Sequence, residues 1–265
     1  MGYVPRRLLR FDPRLFERDV VKRRPHFRYL HYVGLGFWAG LRNYGPARLE
    51  RLVNGLDPLY RYLCFDGYGF KVAFFDAPRD TRAMNKLELL AGYARHAAYQ
   101  GAGRALWFRL MGRPDELWKQ VLAAGAYAAD AAAGVGLAAA FVNPDRLDLV
   151  RAFASEVPGP LQSHFHLGMC FALKARAIGD LEALERATSS LGAAVRAAIH
   201  ASIRECDRVE LVVRAEAASD GYRRWRQRVT SWMEEHIEYP LSAVRRVASH
   251  PATHLEERAE TPSCA

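Results

Sequence analysis

Glycines, a carboxylate and large aromatic side chains occur together in the segment RYLCFDGYGFKVAFF, residues 61–75. A second segment of the same character, YQGAGRALWF, spans residues 99–108. Because glycine costs conformational entropy inside a helix or strand, such clusters among apolar residues indicate close backbone approach or an unusual dihedral angle. Asp66 lies within the first cluster and requires a hydrogen-bond partner or a cation if it is buried. We therefore expect the chemistry of the protein in these two segments.

The charged groups near Asp66 suggest a role for it. Arg61, Lys71 and Arg104 are the candidate partners of the carboxylate, and desolvation beside an apolar cavity is how proteins prepare a carboxyl group for general-acid work. Asp66, Tyr68 and Arg104 are therefore the predicted catalytic residues, orienting or protonating a ligand. The alternative is that Asp66 caps a turn by accepting from nearby backbone N–H groups.

Aromatic residues around the two glycine clusters are suited to an apolar pocket. We predict that a lipophilic substrate contacts Phe70, Phe74, Trp107, Phe108 and Phe141.

A second group of acids follows the first aromatic run. Asp76 and Asp80 form a DxxxD pattern, and carboxylates one helical turn apart can share Mg²⁺, which ionises diphosphate substrates in class I terpene synthases. Arg176 and a later polar segment at Asp220 follow in an order that resembles the layout of those enzymes. Pro78 inside the pattern instead favours a solvated loop. Mg²⁺ at Asp76 and Asp80, with Arg176 on the substrate, is thus an alternative hypothesis, and the only one that implies a cofactor.

Other chemistry is not indicated by the sequence. His164 and His166 are two residues apart and would point to different faces of a helix, so we predict packing or surface roles instead of a metal site. There is no GxSxG, GxGxxG or P-loop pattern. The cysteines are far apart and lack a CxxC pair, which favours reduced thiols: Cys64, Cys170, Cys206 and Cys264.

Composition limits the class of protein. The chain has 265 residues, is 50% hydrophobic and carries a net charge of +9, with arginines concentrated in residues 1–28. No nucleic-acid motif accompanies this basic segment, so we expect no specific nucleic-acid partner. No secretory signal is recognisable, and no uninterrupted apolar run reaches the roughly 18 residues of a membrane span. We predict a cytoplasmic protein without a membrane span.

Helical patterns prevail along the chain. Asp180 is a good N-cap for an amphipathic segment, and Pro114, Pro144 and Pro160 are placed to open helices. The prediction is a mainly α, single-domain helical bundle with a Gly/aromatic-rich break near residues 63–75. A basic N-terminal segment (1–28), a helical domain (29–240) and a flexible C-terminal tail (241–265) make up the chain. We detect no repeat with a period of about 20 to 50 residues.

Six segments, taken in chain order, resemble an uncharacterised bacterial family associated with enediyne and related natural-product biosynthesis clusters. They are RRLLRFDPRLF (6–16), VGLGFWAGLRNY (33–44), FDGYGF (65–70), YQGAGRALWF (99–108), GVGLAAAF (134–141) and HLGMCFALKAR (166–176). The resemblance implies specialised-metabolite biosynthesis and a lipophilic substrate or partner. It transfers no catalytic residue.

The leading hypothesis is a protein that binds a lipophilic polyketide or isoprenoid intermediate and cyclises or isomerises it. The alternatives are a divergent class I terpene synthase that uses Mg²⁺ and a non-catalytic accessory protein that binds a biosynthetic synthase. The sequence does not indicate an oligomeric state.

Overall fold

The computed structural model describes residues 12–111 and 113–237, and every regular element within them is helical. Residues 1–11 of the predicted basic segment and the whole predicted tail, 241–265, lie outside this part. The α-helices are α1 Pro13–Phe16, α2 Arg28–Leu41, α3 Pro46–Val53, α4 Tyr62–Lys71, α5 Asn85–Glu88, α6 Tyr93–Leu110, α7 Pro114–Leu122, α8 Ala128–Val142, α9 Leu147–Ala154, α10 Gln162–Gly179, α11 Leu181–Ser189, α12 Ala193–Ala215 and α13 Gly221–His236. The predicted mainly α, single-domain bundle is confirmed.

The predicted irregularity near residues 63–75 takes the form of a change in helix type. Tyr62–Lys71 is α-helical and passes directly into a π-helical turn, Val72–Asp76. A π-helical turn is rare, and its hydrogen bonds join residues five apart instead of four, which widens the helix locally. The Gly/aromatic segment therefore crosses the core as one helical rod and does not fold back on itself.

Five helices form a row in chain order: α2, α4, α6, α8 and α10. Gly40 of α2 lies against the side chain of Lys71 of α4, and Arg109 near the end of α6 donates to the carbonyl of Ala73 just beyond α4. The C-terminal ends of neighbouring inner helices therefore lie together, and their central segments are also in contact. Neighbouring inner helices thus run in the same direction. The short helices α3, α5, α7 and α9 return the chain between them. We call these five the inner helices.

A glycine pair recurs at the crossing points of this row, 33 or 34 residues apart. The pairs are Gly34-Leu35-Gly36, Gly67-Tyr68-Gly69, Gly101-Ala102-Gly103 and Gly134-Val135-Gly136, followed by Gly168-Met169-Cys170 in α10. In α4, α6, α8 and α10, the first glycine of the pair faces the preceding inner helix. In α2, α4, α6 and α8, the second glycine faces the following inner helix. Our expectation that the chain lacks a repeat was therefore wrong. The recurring signal is only two small residues per unit, because the flanking side chains differ from helix to helix.

The glycines are required by backbone contact between helices. A Cβ atom at Gly67 would lie 1.9 Å from the carbonyl oxygen of Val33, and one at Gly101 would lie 1.8 Å from that of Asp66. Such distances leave no room for any side chain, and Cα–H groups can then contact carbonyl oxygens directly. At Gly34, on the first inner helix, a Cβ would meet nothing within 4 Å. The prediction of close backbone approach is thus correct for both glycine clusters.

The last two helices of the described residues, α12 and α13, pack against the end of the row. Trp225 of α13 donates its indole N–H to the carbonyl of Cys206 in α12 (2.9 Å) and packs on Phe171 of α10 at 4.7 Å between ring centroids. Tyr222 reaches across to Gln100 of α6. As a result, α13 covers part of the inner helices and separates two openings between itself and these helices.

One apolar segment tests the prediction that no helix spans a membrane. Among the described residues, only 125–142 is long and apolar enough to cross a bilayer, and 56% of it is buried within the fold. This segment is α8 with its preceding turn, the fourth inner helix, which contacts α6 on one side and α10 on the other. A buried core helix accounts for its composition, so the described residues show no clear membrane span.

Candidate functional site

A small cavity of about 100 Å³ lies between the inner helices and α13. Its walls are mostly apolar, from residues such as Leu137, Phe141 and Phe171, and it includes the polar groups of Asp66 and Arg104. Two of the three predicted catalytic residues and one predicted substrate-binding residue thus meet in one cavity.

Asp66 is buried, with 1% of its surface exposed, and its carboxylate is held by polar side chains. Arg104 Nη2 forms a short ion pair with Oδ1, and Gln100 Nε2 donates to Oδ2 at 2.7 Å. The Gln100 amide also hydrogen-bonds Tyr222 Oη at 3.2 Å. Arg104 Nε is buried without a hydrogen-bond partner among the described residues. The pair therefore retains one free donor.

The repeat explains why these groups meet. Asp66 and Gln100 each immediately precede the first glycine of their pair, so they occupy equivalent positions on adjacent helices. Arg104 lies four residues after Gln100, which is one turn further along the same face. The sequence analysis named three candidate partners for Asp66. The way α4 and α6 are aligned along each other places Arg104 beside the carboxylate. Lys71 pairs elsewhere, with Asp76 (2.8 Å), and Arg61 donates to the carbonyl of Ser219 (3.0 Å).

Tyr68 does not reach this cavity. It lies two residues after Asp66 on α4, which directs the two side chains to different faces, and it lines a separate recess with Lys71 and Asp76. Burial, aided by the charge of Asp76, raises the pKa of Tyr68 to about 12. The structure therefore does not bring Tyr68 together with Asp66 and Arg104, and its catalytic role remains a prediction.

Three of the predicted substrate-binding aromatics lie together beside the cavity. Phe70 contacts Phe74 and Phe108 at ring-centroid distances of 5.3 and 6.0 Å, and Phe37 and Phe75 complete what we call the phenylalanine cluster. Arg104 connects cluster and cavity, because its guanidinium carbon lies 5.0 Å from the centroid of the Phe70 ring. Phe75 and Phe108 are 37% and 36% exposed, so the cluster is open to solvent.

Trp107 and Arg176 have other surroundings. Trp107 packs edge-on against Phe153 at 5.1 Å and belongs to a second hydrophobic cluster of the core. Arg176 donates from Nε and Nη2 to the carbonyl of Phe141 at 3.1 and 2.6 Å, and its guanidinium lies over the Phe141 ring. Arg176 thereby satisfies a carbonyl at the C-terminal end of α8 and holds one wall of the cavity in place.

The predicted magnesium ligands are engaged in other contacts. Asp76 accepts from Lys71 Nζ (2.8 Å) and Lys86 Nζ (3.2 Å); although burial opposes its ionisation, the two lysines hold its pKa below the ordinary value. Asp80 accepts from the backbone N–H of Arg82 at 2.9 Å and begins a short 3₁₀ helix. No group of three His, Cys, Asp or Glu in the described residues is arranged to hold a metal ion. The pair therefore does not fit a shared Mg²⁺.

A second buried ion pair borders the cavity. Lys174 Nζ lies 3.0 Å from Glu210, which also accepts from the hydroxyls of Tyr29 (2.9 Å) and Tyr60. Burial opposes ionisation of Glu210, but Lys174 and these hydroxyls hold its pKa below the ordinary value. Sequence reasoning missed Gln100, Lys174 and Glu210. Only Gln100 had a usable signal, because YQG aligns with FDG in the repeat.

These observations define a class of protein: a one-domain array of parallel helices with a buried carboxylate–guanidinium pair at the edge of an apolar cavity. Residues 10–233 match the family model described as "Protein of unknown function (DUF1702)". The chain belongs to this family. No curated protein and no solved structure matches it.

Proposed function

We propose that the protein binds a lipophilic molecule, of the polyketide or isoprenoid type, with one end in the cavity and the remainder along the phenylalanine cluster. The proposal rests on the surroundings of Arg104. Its side chain lines the apolar cavity, pairs with buried Asp66 and lies over the ring of Phe70. Ligand sites are commonly apolar with a few convergent polar groups that fix orientation.

The cavity volume limits what enters. A dry cavity of about 150 Å³ holds a benzene-sized molecule, so about 100 Å³ accommodates only the end of a longer chain. The rest of a polyene or isoprenoid would extend over Phe70, Phe74 and Phe108. Burying each aromatic contact contributes on the scale of about 25 cal/mol per Å² of apolar surface removed from water.

The polar groups suggest how the ligand end is held. Arg104 lines the cavity, so an oxygen atom at the ligand end, such as a carbonyl, would accept from its guanidinium. Both carboxylate oxygens of Asp66 accept hydrogen bonds, which suits a proton acceptor better than a proton donor. A cyclisation or isomerisation would therefore use Asp66 as the base and Arg104 to stabilise charge on the ligand oxygen.

The biological setting is part of the proposal. The six segments that resemble the enediyne-associated family support a role in specialised-metabolite biosynthesis, and the free thiols of Cys64, Cys170 and Cys206 suit a reducing, cytoplasmic location.

Blocking the cavity tests this function. Ala175 lines the cavity, whereas Val142 is 42% exposed and does not line it. Ala175→Phe is expected to weaken binding of the neutral apolar dye Nile red at least tenfold in a fluorescence titration, and Val142→Phe, which adds the same kind of ring, should leave it unchanged. Undiminished binding by Ala175→Phe, with the fold verified by circular dichroism, would overturn the cavity as the site.

The exposed phenylalanine cluster gives the accessory-protein alternative its one supporting observation. An exposed aromatic patch also suits a protein partner. If the cluster docks a synthase, Phe108→Ser should weaken that complex, whereas Ala175→Phe inside the cavity should not affect it.

The divergent terpene synthase has no comparable support, since lysines hold Asp76. Incubation with geranyl, farnesyl and geranylgeranyl diphosphate, with and without Mg²⁺, is expected to yield no metal-dependent hydrocarbon by gas chromatography.

A further inference from the structure

A second, polar opening of about 830 Å³ lies on the other side of α13, and we call it the polar cleft. It is bordered by the starts of three inner helices, since Tyr93, Ala129 and His164 from the first turns of α6, α8 and α10 all line it. None of these helices has a side-chain hydrogen bond at its N-cap. Because the helices are parallel, the positive ends of their dipoles point towards the same space.

Arg226 provides a buried cation within this cleft. It is only 4% exposed, and its Nη1 lies 2.8 Å from Asp130 Oδ1 and 3.2 Å from the hydroxyl of Tyr93. Its Nε is buried and has no hydrogen-bond partner among the described residues. Because Arg226 lines the cleft, an anion that enters beside it would add an acceptor to a guanidinium whose hydrogen bonds are incomplete.

The acids that face the cleft do not cancel its positive charge. Asp130 pairs with both Arg226 and His96 Nδ1 (2.7 Å); burial opposes its ionisation, yet these partners lower its pKa below the ordinary value. Glu234 is exposed at the rim. Arg223 also lines the cleft and forms no salt bridge within the described part of the chain, so its charge remains available.

We propose that the polar cleft binds the phosphate group of a small phosphorylated ligand. Arg223 and the guanidinium of Arg226 donate to its oxygens, and the positive ends of the three helix dipoles face it. Arginine matches phosphate geometry through paired N–H groups, and helix N-termini favour anions. The convergence of several positive groups favours a dianion over a singly charged carboxylate. The site is separate from the apolar cavity, which α13 borders with Tyr222 and Trp225 instead.

Calorimetric titration with inorganic phosphate and pyrophosphate, at constant ionic strength, tests the site in the full-length protein. Arg223→Gln is expected to weaken binding about tenfold. Its matched control is Arg224→Gln, the next residue along, which is also exposed but pairs with Asp220 and Glu216 outside the cleft. Arg226→Lys keeps a cation beside Asp130 while removing Nε, and it too should weaken binding about tenfold.

Binding that is saturable, weakened by Arg223→Gln and Arg226→Lys and unaffected by Arg224→Gln, supports the site. The absence of saturable binding to the wild-type protein would overturn it. Equal weakening by Arg223→Gln and Arg224→Gln would also overturn it, since that result means general attraction to the basic surface. If acetate competes as well as phosphate, the assignment to phosphate is wrong.

Discussion

At the scale of single residues, the ion pair between Asp66 and Arg104 is a buried charge pair at the edge of the cavity. Asp66 is almost fully buried, whereas the Arg104 side chain is 15% exposed. Removing one partner of a buried pair leaves an uncompensated charge, and the cost is greater for the more deeply buried charge. The two residues should therefore respond differently to substitution.

Arg104→Met is expected to lower the free energy of unfolding by about 3–5 kcal/mol, because it leaves the buried Asp66 carboxylate without a compensating positive charge. Asp66→Asn should cost less, since the amide still hydrogen-bonds with Gln100 and the Arg104 cation reaches solvent. Urea denaturation of both single variants and the double variant measures the coupling. Simply additive losses in the double variant would show that the two side chains do not interact.

Sequence alone identified Asp66 as a group needing a partner and placed Arg104 among three candidates. It did not reveal Gln100, because the neutral amide carries no charge signal, and only its place beside the repeated glycine pair, which we had not detected, would have indicated its role. Tyr222 lies 122 residues from Gln100, and only the path of α13 brings it to the cavity. The residue types thus indicated that Asp66 would be paired with a charged group. Which side chains contact it depends on how the helices are aligned along each other.

At the scale of helices, the glycine pairs determine how closely the row packs. Gly101 and Gly34 hold equivalent first positions, but a Cβ would clash with a carbonyl oxygen at 1.8 Å in one case and meet open space in the other. They form a matched pair of sites within the same repeat.

Gly101→Ala is expected to destabilise the protein by about 1–3 kcal/mol or more, because α4 and α6 must move apart to admit the methyl group. Gly34→Ala should stabilise it by about 0.5–1 kcal/mol, since alanine loses less entropy than glycine in a helix. Thermal denaturation of both variants checks the prediction. If Gly101→Ala were as stable as Gly34→Ala, the close packing of α4 on α6 would be contradicted.

The sequence predicted helices and close backbone approach from these glycines, and both are present. It did not predict which helices approach each other, because the period of 33 or 34 residues rests on two small residues surrounded by unlike side chains. Trp107 shows the same limit. Its neighbour Phe108 joins the phenylalanine cluster, while Trp107 points into another part of the core.

At the scale of the whole molecule, buried histidine makes stability depend on pH. Burial lowers the pKa of His166 from 6.5 to about 4. Between those values the unfolded chain binds a proton that the folded chain does not, so this contribution to stability is complete above pH 6.5 and is lost as the pH falls towards 4.

The free energy of unfolding is expected to fall by about 2 kcal/mol between pH 7 and pH 5 through His166 alone, at about 1.4 kcal/mol per pKa unit. The neighbouring His164, whose pKa is also lowered by burial and by Arg226, acts in the same direction. Urea denaturation at the two pH values measures the change, and His166→Gln should reduce it. An unchanged pH dependence in that variant would mean that His166 titrates normally in the fold.

The whole molecule also presents two openings of opposite character on either side of α13, and the central claim concerns the apolar one. Photolabelling with a neutral long-chain alcohol that carries a diazirine at its hydroxyl end, followed by peptide mass spectrometry, tests that claim most directly. We expect labelling of the cavity walls around Phe141 and Ala175, suppressed by Ala175→Phe and retained in Val142→Phe. Labelling confined to other surfaces, or undiminished at these walls in Ala175→Phe, would contradict a lipophilic site in this cavity.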